Sequence, residues 1–278
     1  MMRLCCLSLS FQPEFTAKQL TDVTFVDLCA QLRIDGVDFN IGSFRSLEGD
    51  HLKKVKKLCL ERGLTIACVG INNDFGRPSR EQEAVLQQIR TGIDTAQLLG
   101  APVVRVFAGY VRKDDSREAV WKRTVEGLKR AADYAEKAGV VAAVQNHNHN
   151  NLTRTGEDVV RLLKEVDRPW CSHMLDTGQY LGSPGAGGAQ ANDAHTYDVY
   201  QSIERTAALA VFVRAKLYRL RNGKEEWLDY SRIFRILRRV HYNGFISLVY
   251  EGWKDMDAMH AVPMGVKFLR PYLTQAEQ

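Results

Sequence analysis

The stretch IDTAQLLGAPVVRVFA, residues 93–108, joins the end of a helical pattern directly to a short apolar run. The helical pattern covers Ser79–Leu99 and keeps its apolar residues on one side, at Val85, Ile89, Ile93, Ala96 and Leu99. The apolar run Val103–Ala108 follows a Gly and a Pro turn signal and is rich in Val. This stretch therefore predicts a helix followed at once by a buried strand.

The same alternation continues along the whole chain. Eight apolar runs predict strands at Arg3–Leu9, Gly36–Ile41, Leu64–Ile71, Val103–Ala108, Val140–His147, Cys171–Asp176, Ala210–Leu217 and Phe245–Glu251. Helical patterns between them include Ser79–Leu99, Ser116–Ala138, Thr155–Val166, Tyr230–Val240 and Asp257–Leu273. Near-continuous hydrophobicity suits parallel strands buried on both faces. Eight βα alternations close most economically as a barrel, so we predict an α/β fold, a single (β/α)8 TIM barrel spanning residues 1–278.

One segment interrupts this alternation. Residues 182–191 read GSPGAGGAQA and follow the sixth predicted strand. Such a composition is typical of a flexible connector. Because the segment would lie at the catalytic face of a barrel, a mobile lid is the alternative.

Composition limits the classes of function. The net charge is +5, and it is spread over pieces such as Lys53–Lys57 and Arg235–Arg239 that suit solvated helix faces, so nucleic-acid binding is not favoured. No stretch approaches the length needed to span a bilayer, and Met1–Phe11 lacks the features of a signal peptide. The six cysteines form no CxxC pair, which favours buried, reduced thiols in a cytoplasmic protein.

Polar residues collect where predicted strands end, which is where barrel enzymes place their function. They are Arg105 on strand four, Gln145 and His147 on strand five, Asp176 and Gln179 after strand six, Arg214 and Lys216 on strand seven, and Glu251 on strand eight. Any of them could belong to a structural ion pair, such as Asp176 with Lys216 or Glu251 with Arg214. Their position at the same end of neighbouring strands favours a functional site.

These residues carry a resemblance to a known family. The chain resembles the xylose isomerase-like sugar isomerase and epimerase superfamily, which also includes endonuclease IV-type enzymes. The similarity extends over nearly the whole chain. It rests on Gly36-Val-Asp38, residues 96–109, Asn146-His147, Asp176-Thr-Gly178, Lys216 and Tyr250-Glu-Gly252. It implies the barrel fold and chemistry on carbohydrates.

The resemblance also implies a metal site, from which this sequence departs. Enzymes of the family bind one divalent metal through Glu, Asp, His and Glu at the ends of strands five to eight, and the two glutamates exchange a proton beside a carbonyl. The matching positions here are Gln145, Asp176, Arg214 and Val249, so only the aspartate is retained. The family's His three residues after that aspartate is Gln179.

An arginine has no lone pair to offer a metal, although its guanidinium can hold an oxyanion. We therefore expect a site without metal or other cofactor. The alternative is Mn, Mg, Co or Zn at a relocated site of His147, His149, Asp176 and Glu251. If His147 and His149 lie on a strand, their rings share one side, as in metal enzymes. Otherwise His147 is the family's ordinary strand-five His and His149 is a loop residue.

The function that the sequence favours is a sugar isomerase, epimerase or lyase. Such chemistry needs a base, for which Glu251 or His147 is the candidate, and a cation to hold the enolate. Asp176 would orient the base or bind hydroxyls, and Lys216 would stabilise negative charge or form an imine. We expect Gln145, Arg214, Gln179, Arg105 and His149 to contact the substrate.

Three other expectations remain open. A sugar-binding barrel without catalytic activity is the alternative function, because three of four ligand positions differ. DNA repair is not favoured, since it needs a richer metal cluster. The expected partner is a small carbohydrate, with no nucleic acid or membrane, and a homo-oligomer is possible.

Overall fold

Eight parallel strands form a closed barrel in the computed structural model, which describes residues 1–185 and 197–274. The strands are β1 Arg3–Leu7, β2 Gly36–Asn40, β3 Thr65–Gly70, β4 Val103–Phe107, β5 Val141–Gln145, β6 Cys171–Asp176, β7 Ala210–Leu217 and β8 Phe245–Tyr250. Each strand pairs with its sequence neighbour, and β1 pairs in parallel with β8 to close the ring. The predicted TIM barrel is confirmed.

Helices cover the outside of this ring. They are α1 Gln12–Thr16, α2 Asp22–Gln31, α3 Gly49–Glu61, α4 Gln82–Leu99, α5 Arg117–Ala138, α6 Gly156–Val166, α7 Val199–Thr206, α8 Tyr230–Arg239 and α9 Ala258–Thr274. A short antiparallel pair, Leu220–Arg221 with Lys224–Glu225, follows β7. The predicted helices agree with α4, α5, α6, α8 and α9 to within a few residues.

Local signals explain where several helices begin and end. Ser116 and Thr155 cap α5 and α6, their hydroxyls accepting the backbone N–H of Ala119 and Asp158. Gly100 and Gly139 end α4 and α5 in the left-handed conformation, with φ of 78° and 68°. Glycine adopts this conformation at the lowest cost. These caps place the next strand directly after its helix.

The amino-terminal half of the barrel interior is apolar. One buried cluster consists almost entirely of single residues from successive strands, namely Cys5, Ala67, Cys68, Val103, Ala143, Met174, Phe212 and Phe245. A larger cluster fills the layer between strands and helices. Polar groups inside the barrel therefore gather toward the carboxyl ends of the strands.

Two expectations from composition can be compared with the structure. All six cysteines are unpaired and five are buried, and burial raises the pKa of the Cys6 thiol to about 12.

Among residues 1–185 and 197–274, no helix combines the length and apolar character needed to cross a membrane. Residues 186–191 of the predicted connector or lid lie outside the described residues.

Candidate active site at the barrel mouth

A buried ion pair crosses the barrel interior. Arg214 on β7 donates from Nε and Nη2 to the two carboxylate oxygens of Asp38 on β2, at 3.0 Å each. Its Nη1 donates to Oε1 of Gln145 at 3.0 Å, so each of its three nitrogens is hydrogen-bonded. Ser247 also donates to Asp38, at 2.9 Å. Arg214 therefore makes its hydrogen bonds to other side chains of the protein.

The predicted pairing of Glu251 with Arg214 is wrong for this reason. Asp38 was not predicted as a site residue, although it lies in the motif Gly36-Val-Asp38 that supports the family resemblance. Asp38 could have been recognised in the same way as Arg214, because each is a charged residue within a short buried strand and needs a partner there.

A second chain of contacts leads from Gln145 to the mouth. Gln145 donates to Oδ2 of Asp176 at 2.8 Å, and Asp176 also accepts the backbone N–H of Gly178 at 3.0 Å. Lys216 Nζ lies 3.5 Å from the same Oδ2, which confirms the predicted pair. Burial raises the pKa of Asp176, against the lowering influence of Lys216. Asp176 is a buried carboxylate that holds Lys216 in position.

Glu251 is the carboxylate of this network that reaches solvent. Its side chain is 24% exposed, whereas those of Asp176 and Lys216 are almost fully buried. Lys216 Nζ donates to Glu251 Oε1 at 2.7 Å. The pair therefore offers a base and a cation side by side at the carboxyl end of β7 and β8.

Arg105 is a second buried guanidinium. It donates to the backbone oxygen of Ile71 and to Oδ1 of Asn72, the latter at 3.2 Å, while its Nε has no partner. Burial lowers the pKa of Arg105 to about 9, and Arg214 acts in the same direction. Gly70 makes room for both guanidinium groups, since a Cβ there would lie 3.1 Å from Arg105 and 3.2 Å from Arg214.

The two histidines after β5 lie in a loop. The predicted extension of β5 to His147 is wrong, because the strand ends at Gln145, so strand alternation does not orient His147 and His149. Their ring centroids are 5.0 Å apart. His147 Nδ1 accepts the backbone N–H of His149 at 3.3 Å, and burial lowers the pKa of His147 to about 3. The ring is thus neutral with its proton on Nε2, which makes it a donor and a poor base.

Gln179 replaces the family's histidine three residues after Asp176. Its side chain is buried and its Oε1 has no hydrogen-bond partner. A buried amide oxygen without a donor is costly. Gln179 is accordingly a candidate for contact with a substrate hydroxyl.

The family's ligand positions do not fit a divalent metal here. Arg214 donates to Gln145 and Gln145 donates to Asp176, and the side chain of Val249 has no ligand atom. In the described part of the chain, no three His, Cys, Asp or Glu residues are placed to hold a metal. The relocated set of His147, His149, Asp176 and Glu251 is therefore not assembled. Its His149 is exposed in the loop, and its Glu251 is bonded to Lys216.

A family model described as xylose isomerase-like TIM barrel matches residues 26–272. The chain belongs to this family. The match spans all strands except β1. It contains Asp38, Gln145, Asp176, Arg214, Lys216 and Glu251. The described network therefore lies within the matched region.

Solved structures agree with this fold over almost the whole chain. A 3-keto-D-glucoside 4-epimerase from E. coli is 18% identical with a TM-score of 0.75, covering 98% of this chain and 100% of that one. A D-psicose 3-epimerase crystallised in the presence of D-fructose is 15% identical with a TM-score of 0.78, covering 99% and 100%. A D-allulose 3-epimerase from Methylomonas sp. is 18% identical with a TM-score of 0.74, covering 98% of each chain. At these identities the likeness shows the fold.

Proposed function

We propose that this protein is a carbohydrate epimerase or isomerase, or a related lyase, that removes a proton beside the carbonyl of a small sugar. The observation that carries the proposal is the solvent-reaching carboxylate of Glu251, 2.7 Å from the ammonium of Lys216. The epimerases that share this fold act on sugars with such a proton. A base beside a cation is what this step requires.

In the proposed mechanism, Glu251 takes the proton from the carbon next to the carbonyl. Lys216 neutralises the negative charge that develops on the carbonyl oxygen. Asp176, 3.5 Å from Lys216 Nζ, keeps the ammonium group in place. An ammonium between two carboxylates suits charge stabilisation, whereas an imine needs the neutral amine. Return of the proton from Glu251 to the adjacent carbon gives isomerisation, whereas epimerisation requires a second donor, a side chain or water, that delivers a proton to the opposite face.

The remaining residues differ in role. Arg105, with an unpaired Nε, and Gln179, with an unpaired Oε1, are candidates for contact with substrate oxygens and hydroxyls. Arg214 and Gln145 connect Asp38 to Asp176, so they position the network. His147 is a candidate hydrogen-bond donor to the substrate through its Nε2. His149, exposed beside it, is a candidate for contact at the rim.

Exchange of hydrogen with solvent tests the proposal directly. The protein is incubated in D2O with a panel of ketoses and 3-keto-glycosides, and proton NMR follows the position beside the carbonyl. We expect deuterium to enter at least one substrate at that position, and to enter it at least about a hundredfold more slowly in the Glu251→Gln variant. Saturable sugar binding without exchange would instead support the alternative, a sugar-binding barrel without catalytic activity.

We also propose that this reaction uses no divalent metal at the family's ligand positions. Elemental analysis of the purified protein should find Mn, Co, Zn and Mg well below one atom per chain, and chelators should leave the exchange rate unchanged. The reason is that the guanidinium of Arg214 and the amide of Gln145 stand where the family has a histidine and a carboxylate to bind the metal. About one atom per chain, lost in Asp176→Ala, would contradict this.

A cytoplasmic location and a homo-oligomeric state stay predictions. The first rests on the unpaired cysteines.

A further inference from the structure

A cleft lies at the barrel mouth, on the side of the ring opposite the strand that leads to Glu251. It has a volume of about 550 Å³ and is lined by residues from the loops after β3, β4 and β5, including Asn72, Asp74, Arg77, Tyr110, Arg112 and His147. In an eight-stranded ring, β4 lies opposite β8. A sugar whose reacting carbon meets Glu251 can therefore extend its far end toward this cleft.

The walls of the cleft are fixed by hydrogen bonds between loops. The side chain of Asn73 donates to the backbone oxygen of Phe107 and accepts its N–H, both at 2.8 Å. Tyr110 and Asn151 form an antiparallel bridge that joins the β4 and β5 loops. Val111 N–H donates to the oxygen of Asn150 at 2.9 Å. A preformed wall lowers the entropy lost when a ligand binds.

Hydrogen-bond donors predominate on these walls. Arg77 is 52% exposed and lies 3.7 Å from Asp74 and 3.6 Å from Glu81, too far for a hydrogen bond. His147, neutral and with its proton on Nε2, adds a donor. Within residues 1–185 and 197–274, neither this Nε2 nor the Nδ2 of Asn72 has a hydrogen-bond partner.

Asp74, the carboxylate that lines the cleft, accepts hydrogen bonds from the protein through both of its oxygens. Asp74 Oδ1 accepts the backbone N–H of Gly76 at 2.8 Å and of Tyr110 at 3.0 Å. Its Oδ2 accepts from Arg112. Asp74 therefore accepts a hydrogen bond from Arg112 but none from Arg77, which lies only within ion-pair distance of Asp74 and Glu81. The guanidinium of Arg77 keeps its N–H donors for a ligand that brings acceptors, and a charged acceptor makes the stronger hydrogen bonds.

We propose that this cleft binds an anionic group of the substrate, a carboxylate or a phosphate, at the end of the sugar remote from Glu251. This inference rests on the proposed function for the direction in which the substrate lies. Arg77 and Arg112 supply the charge-assisted hydrogen bonds. The donors of Asn72 and His147 then contact the adjoining hydroxyls or the same anion. An acidic or phosphorylated sugar is preferred to a neutral one of the same size.

Titration calorimetry with inorganic phosphate tests the cleft without turnover. We expect saturable binding by the wild type that weakens at least about tenfold in Arg77→Gln and in Arg112→Gln, since each loses a charge-assisted hydrogen bond. Arg80→Gln is the matched control, because Arg80 is 84% exposed and has the same charge only three residues from Arg77. Phosphate binding should be unchanged in Arg80→Gln and in Glu251→Gln.

Two results would overturn the proposal. One is the absence of saturable phosphate binding, and the other is an equal loss in Arg80→Gln, which would indicate general electrostatics. Glucose 6-phosphate, glucuronate and glucose then distinguish the anion, because a phosphate site favours the first and a carboxylate site the second. Deuterium exchange on neutral sugars with no phosphate binding would leave the proposed function intact and remove this inference. Phosphate binding without deuterium exchange on any sugar would contradict the proposed function and leave the anion-binding cleft intact.

Discussion

Glu251→Gln should lower the kcat of the proposed reaction by about 10²–10⁴-fold, the usual contribution of a positioned general base. Glutamine keeps the size of the side chain and can still accept from Lys216, but it cannot take a proton. Lys216 keeps its ion pair with Asp176, so the fold should persist. The measurement is the rate of deuterium exchange at saturating sugar, together with the melting temperature.

The controls for this variant separate the base from its surroundings. Glu226→Gln removes a carboxylate that is 41% exposed and lies near Arg219, outside the site, and its rate should match the wild type. His147→Gln should lose less than about tenfold, because its imidazole is a donor with a pKa of about 3. If His147→Gln lost as much as Glu251→Gln, the assignment of the base would have to be reversed.

Arg214→Met should reduce the free energy of unfolding by roughly 3–5 kcal/mol, as for other buried ion pairs that lose one partner. The sequence left open whether Arg214 is structural or binds substrate. The structure favours the structural role, because both oxygens of Asp38 accept from this guanidinium inside the barrel. Removal leaves Asp38 with the hydroxyl of Ser247. Urea denaturation followed by circular dichroism measures the change.

Two further variants show whether the loss comes from the unpaired charge. Adding Asp38→Asn to Arg214→Met should recover most of the stability, since no buried carboxylate remains. Arg168→Met breaks a half-exposed pair with Asp133 and should cost no more than about 1 kcal/mol. A small loss in Arg214→Met together with abolished sugar binding would show instead that Arg214 is a ligand residue.

The fold could be predicted because its signals are local. Each buried strand is a short apolar run, and several helices end at a glycine such as Gly100 or Gly139. Regular alternation then leaves few ways to arrange the chain. The ends of the strands were harder to predict, because the residue pattern of a strand can continue into the loop that follows it. For that reason β5 was predicted to reach His147.

The site could be predicted only in part. Strand ends identified Gln145, Asp176, Lys216 and Glu251 as neighbours, since parallel strands end at one edge. Pairing across the interior could not be deduced, because Asp38 and Arg214 are 176 positions apart in the sequence and no local pattern indicates their contact. The donor-rich cleft was also missed. Its Arg77 and Arg112 lie in loops beyond the strand ends, where no periodic pattern indicates which side chains face the barrel mouth.

The Asp38–Arg214 pair also limits how a metal site could arise at the family's ligand positions. A histidine introduced at position 214 would leave Asp38 buried without its guanidinium partner, and position 145 would still carry an amide instead of a carboxylate. Each such substitution alone gives a less stable protein with no bound metal to compensate. Stability thresholds remove such intermediates from populations. The internal ion pair is therefore hard to replace by a metal site one substitution at a time.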